Sequence, residues 1–273
     1  MEYSFSGQGD SVFLEPYLTI SALGPPTKKG DGRVSRVRGA AKLLATMQGG
    51  ASASGIPKLL SAHACHGCLS AEECFKVTAL AEKHVAANGW LTKRHNVHAT
   101  TDFSLFDAPA VMAAAKPAVM RAAMPSLHKL FFAGAEDIGL TLNDLFYVRY
   151  SAEVEGGQRS LEPHRDGSLV SFSIMLSDPS TDFDGGGTLL VGKGETLSPT
   201  HRGDLVAHSG KVLHAGANVT RGRRDLLVGF VTVHGPDVND AFLQSPNVTS
   251  AFEHQRLDAA IVTGALVSTA LQS

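Results

Sequence analysis

Cysteine is almost missing from this sequence, and its three copies, Cys65, Cys68 and Cys74, stand close together. A disulfide framework distributes an even number of cysteines along a small secreted chain, so this pattern gives no support for one. The sequence also lacks an uninterrupted apolar run of membrane-spanning length, and its N-terminus lacks the basic and apolar segments of a secretory signal. We therefore expect a soluble, cytoplasmic protein that does not insert into a membrane.

An excess of charge of either sign is missing too, because 24 lysines and arginines face 26 aspartates and glutamates. Without a strong basic field, we do not expect nucleic acid as a partner. The hydrophobic content of 43% over 273 residues is ordinary for a globular protein with a substantial core. Recognition of a ligand must therefore depend on a local site, and composition leaves the oligomeric state open.

The two ends of the chain differ in pattern from its middle. Residues 1–61 show no sustained periodicity and include Gly24-Pro25-Pro26 and the basic stretch 28–42, which predicts a partly flexible N-terminal extension. Residues 236–273 are predicted to be a C-terminal extension with one helix near 249–262. One folded domain is predicted between them, at 62–235.

Helical patterns occupy the first half of this domain. Ser70 and Glu73 match a capping box, and apolar residues at helical spacing follow until Asn88-Gly89, which predicts a helix over 71–87. A second helical region is predicted over 108–132, broken or kinked at Pro117 and Pro125. These helices are expected to buttress the remainder of the domain.

From residue 145 the apolar period changes from that of a helix to that of a strand. Phe146, Val148 and Tyr150 alternate with other residues, as do the residues of 170–176. Further short strands are predicted at 188–191, 204–207, 211–214 and 226–233. Many short strands without intervening helices indicate an antiparallel jelly roll over 145–233. The predicted fold class is α+β, with a double-stranded β-helix core buttressed by N-terminal helices.

His164 and Asp166 stand two positions apart, so on a strand both side chains would point to the same face. His214, in a later predicted strand, is a candidate third ligand. Two histidines and one carboxylate with open coordination positions are typical of oxygen-activating non-haem Fe(II). A His-x-Asp pair alone is weak evidence, because the chain has 12 histidines and a buried histidine is more often part of the core.

Arg224 follows His214 by ten positions, at the beginning of a predicted strand. Its guanidinium fork could bind the distal carboxylate of 2-oxoglutarate while the 2-oxo acid end chelates iron. An exposed arginine at a strand start is the alternative. The glycine-rich segment 183–188 lacks the following Lys-Ser/Thr of a phosphate loop and is better interpreted as a turn between strands.

Taken together, these motifs resemble the catalytic domain of prolyl 4-hydroxylase-like and lysyl hydroxylase-like 2-oxoglutarate dioxygenases. The resemblance covers roughly 170 residues and includes Tyr150, His164-Arg-Asp166-Gly-Ser, Phe183-Asp-Gly-Gly-Gly-Thr188, His214-Ala-Gly216 and Gly222-Arg-Arg224. It implies His164, Asp166 and His214 as iron ligands, Arg224 as the 2-oxoglutarate anchor, and Tyr150 as a residue facing the cofactor pocket. It also implies Fe(II), 2-oxoglutarate and O₂, with ascorbate as the reductant. The implied reaction is hydroxylation of a peptidyl prolyl or lysyl residue, with release of succinate and CO₂.

One position departs from this family's pattern. Many prolyl hydroxylases have a tyrosine where this chain has Met175, and methionine cannot donate a hydrogen bond to the distal carboxylate. We therefore expect Thr188, Ser173 or Tyr150 to assist Arg224. Related halogenases lack the carboxylate ligand, so Asp166 favours hydroxylation.

Two other functions remain open from the sequence: hydroxylation of a small free molecule, and a catalytically silent jelly roll that senses 2-oxoglutarate or iron. The Cys65-x-x-Cys68 spacing, with His63 and His66 beside it, is similar to zinc ligands. The second ligand pair that a structural zinc site needs is missing from the sequence pattern. The role of this cluster is therefore not predicted, and Cys74 is expected in the core of its helix.

Overall fold

The computed structural model describes residues 11–13, 61–90, 100–133, 136, 138–191, 194–210 and 212–235. The helices are α1 (Ala71–Asn88), α2 (Pro109–Ala118) and α3 (Met124–Phe132). The strands are β1 (Ser11–Phe13), β2 (Ser61–Cys65), β3 (Asp102–Ser104), β4 (Gly139–Ser151), β5 (Leu161–His164), β6 (Val170–Met175), β7 (Phe183–Gly185), β8 (Thr188–Leu190), β9 (Glu195–Leu197), β10 (Leu205–Ser209), β11 (His214–Gly216) and β12 (Val219–His234). The basic stretch 28–42 and the helix predicted near 249–262 lie outside the described residues. Of the predicted N-terminal extension, the short strand β1 pairs with β2.

Two antiparallel sheets form the core of the described residues. The larger has the order β1-β2-β10-β6-β12-β4-β3, with β7 also pairing with β12, and the smaller has the order β5-β11-β8-β9. Along the chain, β4, β6, β10 and β12 of the larger sheet alternate with β5, the β8–β9 pair and β11 of the smaller sheet. This winding between two facing sheets is that of a jelly roll. The predicted α+β class with a double-stranded β-helix core is confirmed.

The larger sheet is buried on both faces around β6, β10 and the second half of β4. Along these strands, side chains alternate between the two faces. Leu145 and Tyr147 of β4 and Leu227 of β12 belong to an apolar core that also contains buried residues of α1, α2 and α3. Their neighbours Phe146 and Val148 face the opposite side, toward the interior of the jelly roll. The helices therefore support the sheet from outside and leave its inner face for a cavity.

The capping box predicted at the start of α1 is present. The Ser70 hydroxyl accepts a hydrogen bond from the Glu73 backbone N–H at 3.2 Å, and the Glu73 carboxylate accepts one from the Ser70 N–H at 2.9 Å. Cys74 is buried in this helix, as expected. The helix ends at Asn88, and Gly89 follows it with a φ of +75°.

The second helical region is interrupted differently from the prediction. Pro117 lies inside α2, and the interruption is a π-helical turn, Val119–Ala123, between the two prolines. Pro125 follows shortly after this π-helical turn, and the residues on both sides of each junction keep helical backbone angles. The region is therefore one continuous helical stretch with a π-helical turn between Pro117 and Pro125.

Two strand predictions are shifted in the structure. The strand predicted over 211–214 begins at His214 instead, because the chain turns just before it and the Val212 N–H donates to the Ser209 carbonyl at 3.0 Å. The last strand begins at Val219 instead of Leu226, since its first residues pair with β7. Arg224 therefore lies within β12 and not at its beginning.

Candidate metal centre and cosubstrate cavity

The three predicted iron ligands meet at one end of the smaller sheet. His164 is the last residue of β5 and His214 is the first of β11, and the two residues are register partners. Asp166 lies beyond the end of β5, where its backbone N–H donates to the Gly210 carbonyl at 2.9 Å. His164 and Asp166 converge as expected. However, the Asp166 carboxylate is positioned by a contact between two loops and not by the alternation of side chains along one strand.

The ligand atoms of this group lie within 4.8 Å of one another. The Nε2 atoms of His164 and His214 are 3.5 and 3.7 Å from the two carboxylate oxygens of Asp166. Each Nδ1 lies beside a backbone carbonyl: that of Glu162 at 2.8 Å for His164, and that of Val212 at 3.0 Å for His214. Because a carbonyl can only accept, Nδ1 of each ring carries a proton, and Nε2 is the nitrogen that can offer a lone pair to a metal.

Burial and mutual proximity set the charges in this cluster. Burial alone would raise the pKa of Asp166, but His214, His164 and His208 outweigh it and lower that pKa, so the carboxylate is ionised. Burial, and next the neighbouring His208, lowers the pKa of His214 to about 3. An ionised carboxylate beside a neutral imidazole is the state in which both groups can ligate a cation.

Arg224 is a buried cation, with 2% of its surface exposed. Its Nε atom has no hydrogen-bond partner, and no carboxylate pairs with its guanidinium among the residues that the structure describes. Burial lowers the pKa of Arg224, an effect that the adjacent Tyr150 opposes. A buried and unpaired guanidinium is costly, so this arrangement favours an anionic ligand that is absent from the protein's own side chains.

A cavity of about 490 Å³ connects Arg224 with the two histidines and Asp166. Tyr150, Thr188 and Ser173, the predicted assistants of Arg224, also line it. Met175 does not; it packs in an apolar cluster with Phe183 and Val219. All seven predicted site residues therefore share one space, and its remaining walls are mostly apolar, including Phe146, Val148, Leu226, Val228 and Phe230.

Two glycines make room for the side chains of Arg224 and Tyr150. A Cβ atom on Gly186 would lie 2.9 Å from Cδ of Arg224, and Gly186 has a φ of +69°. A Cβ atom on Gly216 would lie 3.2 Å from the Tyr150 hydroxyl. The glycine-rich turn between β7 and β8 thus has a steric function next to Arg224, in addition to joining the strands.

No protein-family model matches the sequence. The human procollagen-lysine,2-oxoglutarate 5-dioxygenase 2 is 35% identical over 102 residues, which cover 37% of this chain and 13% of that protein. A PKHD-type hydroxylase of Maricaulis maris is 33% identical over 121 residues, which cover 41% of this chain and 52% of that protein. The chain is thus similar to proteins named procollagen-lysine 2-oxoglutarate dioxygenase and PKHD-type hydroxylase. The resemblance inferred from the motifs is confirmed, while the chain spans only part of the length of these relatives.

Solved structures with a similar arrangement are more distant in sequence. The viral collagen prolyl hydroxylase of Paramecium Bursaria Chlorella virus-1 is 15% identical with a TM-score of 0.43, and the match covers 62% of this chain and 94% of that one. The non-haem epimerase SnoN is 15% identical with a TM-score of 0.48, and the match covers 76% and 89%. We draw no functional conclusion from these two structures.

The cavity also contains residues that the sequence patterns did not predict. His208 of β10 lies with its ring centre 4.1 Å from that of His214, and its Nδ1 is 3.1 Å from the Ser209 carbonyl. The predicted strand ended at Ala207. Had it been extended by one residue, His208 would have been placed on the same face as Val206, which is the inner face of the sheet. Thr100, whose hydroxyl donates to Asp102 at 2.8 Å, had no comparable signal.

The described helices also bear on membrane insertion. Within the described part of the chain, none of them combines the length and the apolar character needed to cross a bilayer.

Proposed function

We propose that this protein is an Fe(II)- and 2-oxoglutarate-dependent dioxygenase that hydroxylates an unactivated C–H bond and releases succinate and CO₂. The observation that carries the proposal is the buried guanidinium of Arg224, which lines the same cavity as His164, Asp166 and His214. No carboxylate of the described residues pairs with this guanidinium. A dicarboxylate that is also a 2-oxo acid satisfies both ends of this cavity. Its far carboxylate neutralises the arginine, and its other end reaches the metal ligands.

His164, Asp166 and His214 would hold the iron. Two imidazoles and one carboxylate on one side of an ion, with the other positions open, suit non-haem Fe(II). The Nδ1 contacts to the Glu162 and Val212 carbonyls fix the ring orientations and direct both Nε2 atoms toward Asp166. When bound, Fe(II) would supply the activation of O₂ that no side chain can perform.

Arg224 would anchor 2-oxoglutarate through its far carboxylate. Tyr150 lies beside the guanidinium, with the arginine Cζ 5.6 Å from the ring centre, and Thr188 and Ser173 present hydroxyls to the same cavity. We assign these three residues as assistants of Arg224 in place of the tyrosine that Met175 replaces. The apolar walls would keep water away from the reacting atoms and strengthen the charge pairing.

For the substrate, we propose a peptidyl prolyl or lysyl residue. The support is the similarity to proteins named procollagen-lysine dioxygenases and PKHD-type hydroxylases, although the match covers 13% of the former. Ascorbate is proposed as the reductant that maintains the ferrous state. A small free molecule is the alternative substrate, and a silent sensor of 2-oxoglutarate or iron is the alternative function.

The test measures succinate and CO₂ from 2-oxoglutarate with Fe(II)-loaded protein in air, with and without ascorbate. Peptide and metabolite mixtures are then searched by mass spectrometry for the gain of one oxygen atom. We expect slow succinate formation without substrate and faster formation with peptides that contain the target residue. Tight 2-oxoglutarate binding without any succinate would support the sensor, and acceleration by free metabolites alone would support the small-molecule alternative.

A further inference from the structure

A second group of metal-ligating side chains meets just before β10. His66 comes from the loop after β2, whereas His201 and Asp204 belong to the turn before β10. One ligand atom from each lies within 4.8 Å of the other two. Asp204 follows His66 by 138 positions, so the sequence pattern around Cys65 and Cys68 could not reveal these partners.

Asp204 is the centre of this group. The Nδ1 of His66 lies 2.9 Å from its Oδ2 atom, and the Nδ1 of His201 lies 3.6 Å from the same oxygen. Asp204 is 1% exposed. Among the described residues, these two histidines are its only ion-pair partners, and no lysine or arginine compensates its charge. Besides the hydrogen bonds that this carboxylate accepts from the backbone and from the Thr200 hydroxyl, its ion-pair partners are both imidazoles, and this arrangement favours a cation between the carboxylate and the two rings.

Backbone groups orient this carboxylate in advance. The Gly67 N–H donates to Oδ1 at 3.1 Å, and the Thr200 and His201 N–H groups donate to Oδ2 at 3.2 and 2.9 Å. Such contacts to a ligating carboxylate fix its direction before an ion binds. The same Nδ1 atom of His66 that contacts Asp204 can bind an ion when the ring carries its proton on Nε2.

The two loops that carry the ligands are held together independently of any ion. The Leu69 N–H donates to the Gly203 carbonyl at 3.1 Å. Gly203 has a φ of +85°, and a Cβ atom there would lie 1.9 Å from the Leu69 carbonyl oxygen. The loops therefore pack backbone against backbone, and His66 and the turn of His201 and Asp204 start from a preformed geometry. The His201 side chain is 75% exposed, which leaves a route for an ion from solvent.

The donor atoms that the structure brings together here are two imidazole nitrogens and one carboxylate oxygen. Such a set, completed by water, suits Zn²⁺ and neighbouring divalent transition metals better than Mg²⁺ or Ca²⁺.

We propose that His66, His201 and Asp204 form a second metal site, which binds Zn²⁺ or a similar divalent transition-metal ion and joins the loop after β2 to the turn before β10. Its role is structural. Four residues of extended strand separate Asp204 from His208 of the main cavity, roughly 13 Å, whereas two metals that act on one substrate lie about 4 Å apart.

The experiment counts bound ions in the full chain after removal of metal, by titration with Co²⁺ and with Zn²⁺. We expect two equivalents for the wild type, one for Asp166→Ala, one for His201→Ala, and none of comparable affinity for the double variant. Because His201 is exposed, its substitution does not disturb the core. His234→Ala, which replaces another exposed histidine outside both groups, is the matched control and retains two equivalents.

Thermal unfolding supplies a second readout. In the Asp166→Ala background, Zn²⁺ is expected to raise the unfolding midpoint, and adding His201→Ala abolishes this rise. A single equivalent in the wild type that Asp166→Ala removes would overturn the second site and leave the proposed dioxygenase site intact. A His201→Ala protein with unchanged affinity for both ions would overturn it as well.

Discussion

Arg224 and Tyr150 are register partners on β12 and β4, and the guanidinium carbon lies 5.6 Å from the centre of the phenol ring. The ring covers a buried cation that has no carboxylate partner among the described residues. A π face offsets only part of the cost of burying a guanidinium, by about 2 kcal/mol. The pair is therefore arranged to receive an anion, and this relationship underlies the first two predictions.

Arg224→Gln should weaken 2-oxoglutarate binding by about tenfold to a hundredfold, since a charge-assisted hydrogen bond contributes roughly 1.5–3 kcal/mol. Tyr150→Phe keeps the ring and removes only the hydroxyl, so a loss of about tenfold or less is expected. Calorimetric titration of the metal-loaded protein measures both. Arg221→Gln, at an exposed arginine of the same strand that pairs with Asp184, is the control. Equal effects of Arg221→Gln and Arg224→Gln would contradict the assignment.

Arg224→Met should stabilise the ligand-free protein. Methionine fills similar space without a buried unpaired charge, and such replacements often increase the free energy of unfolding by about 1–3 kcal/mol. Urea denaturation of both proteins measures the difference. Addition of 2-oxoglutarate should raise the stability of the wild type and not that of the variant. A destabilised Arg224→Met protein would show that the guanidinium is already satisfied within the fold.

Gly186→Ala should reduce 2-oxoglutarate affinity because the new Cβ atom would collide with the Arg224 side chain. Gly194→Ala is a matched control, since Gly194 has a φ of +68° close to that of Gly186 and nothing within 4 Å of its Cβ position. Both variants should lose about 1 kcal/mol of stability from backbone strain. Only Gly186→Ala should alter the dissociation constant of 2-oxoglutarate, and the same change in Gly194→Ala would refute the steric explanation.

His208 is expected to act as a positioning residue through its ring contact with His214. His208→Ala should weaken Mn²⁺ or Fe²⁺ binding by about tenfold, which is typical for loss of a group that orients a ligand. His208→Phe restores a flat ring and should recover most of this affinity. Metal titration of the wild type and the two variants measures these affinities. If His208→Ala and His208→Phe bind the metal equally well, a packing role for the His208 ring is excluded.

The capping box of α1 gives a prediction of pH dependence. The Ser70 backbone N–H lowers the pKa of Glu73, burial opposes this, and Arg121 adds to the lowering. A lowered folded-state pKa contributes stability above the ordinary value of 4.5 that is lost as the pH falls through the folded-state pKa. Glu73→Gln should therefore cost up to about 1 kcal/mol at pH 7 and less near pH 3.5. Urea denaturation at both values tests this, with exposed Glu72→Gln as the control.

Local patterns in the sequence predicted much of this fold. Ser70 and Glu73 identified the start of α1, because a capping box depends only on residues within one turn. Alternation located β4 and β6, because apolar residues recur at every second position along each of them. The start of β12 was missed because its pairing with β7 depends on a distant segment, and β11 was predicted to begin too early because a turn closed by Ser209 and Val212 precedes it.

The candidate site was predictable only in part for the same reason. The sequence spacing was enough to propose His164, His214 and Arg224 as site residues. The position of the Asp166 carboxylate, in contrast, depends on a backbone contact with Gly210, far away in the chain. His208 was missed because the predicted strand ended at Ala207, two residues before the end of β10. The grouping of His66 with Asp204 could not be predicted, because it results from the pairing of β2 with β10 and no local motif links positions so far apart.

The central claim is that Arg224 and the His164, Asp166 and His214 group bind one 2-oxoglutarate and one Fe(II) together. The most direct test is an anaerobic titration of Fe(II)-loaded protein with 2-oxoglutarate, followed by the visible absorption that a 2-oxo acid acquires when it chelates Fe(II). We expect saturation at one equivalent in the wild type, no absorption in Asp166→Ala, and saturation only at higher concentration in Arg224→Gln. A wild type without this absorption, or identical titrations of all three proteins, would contradict the claim.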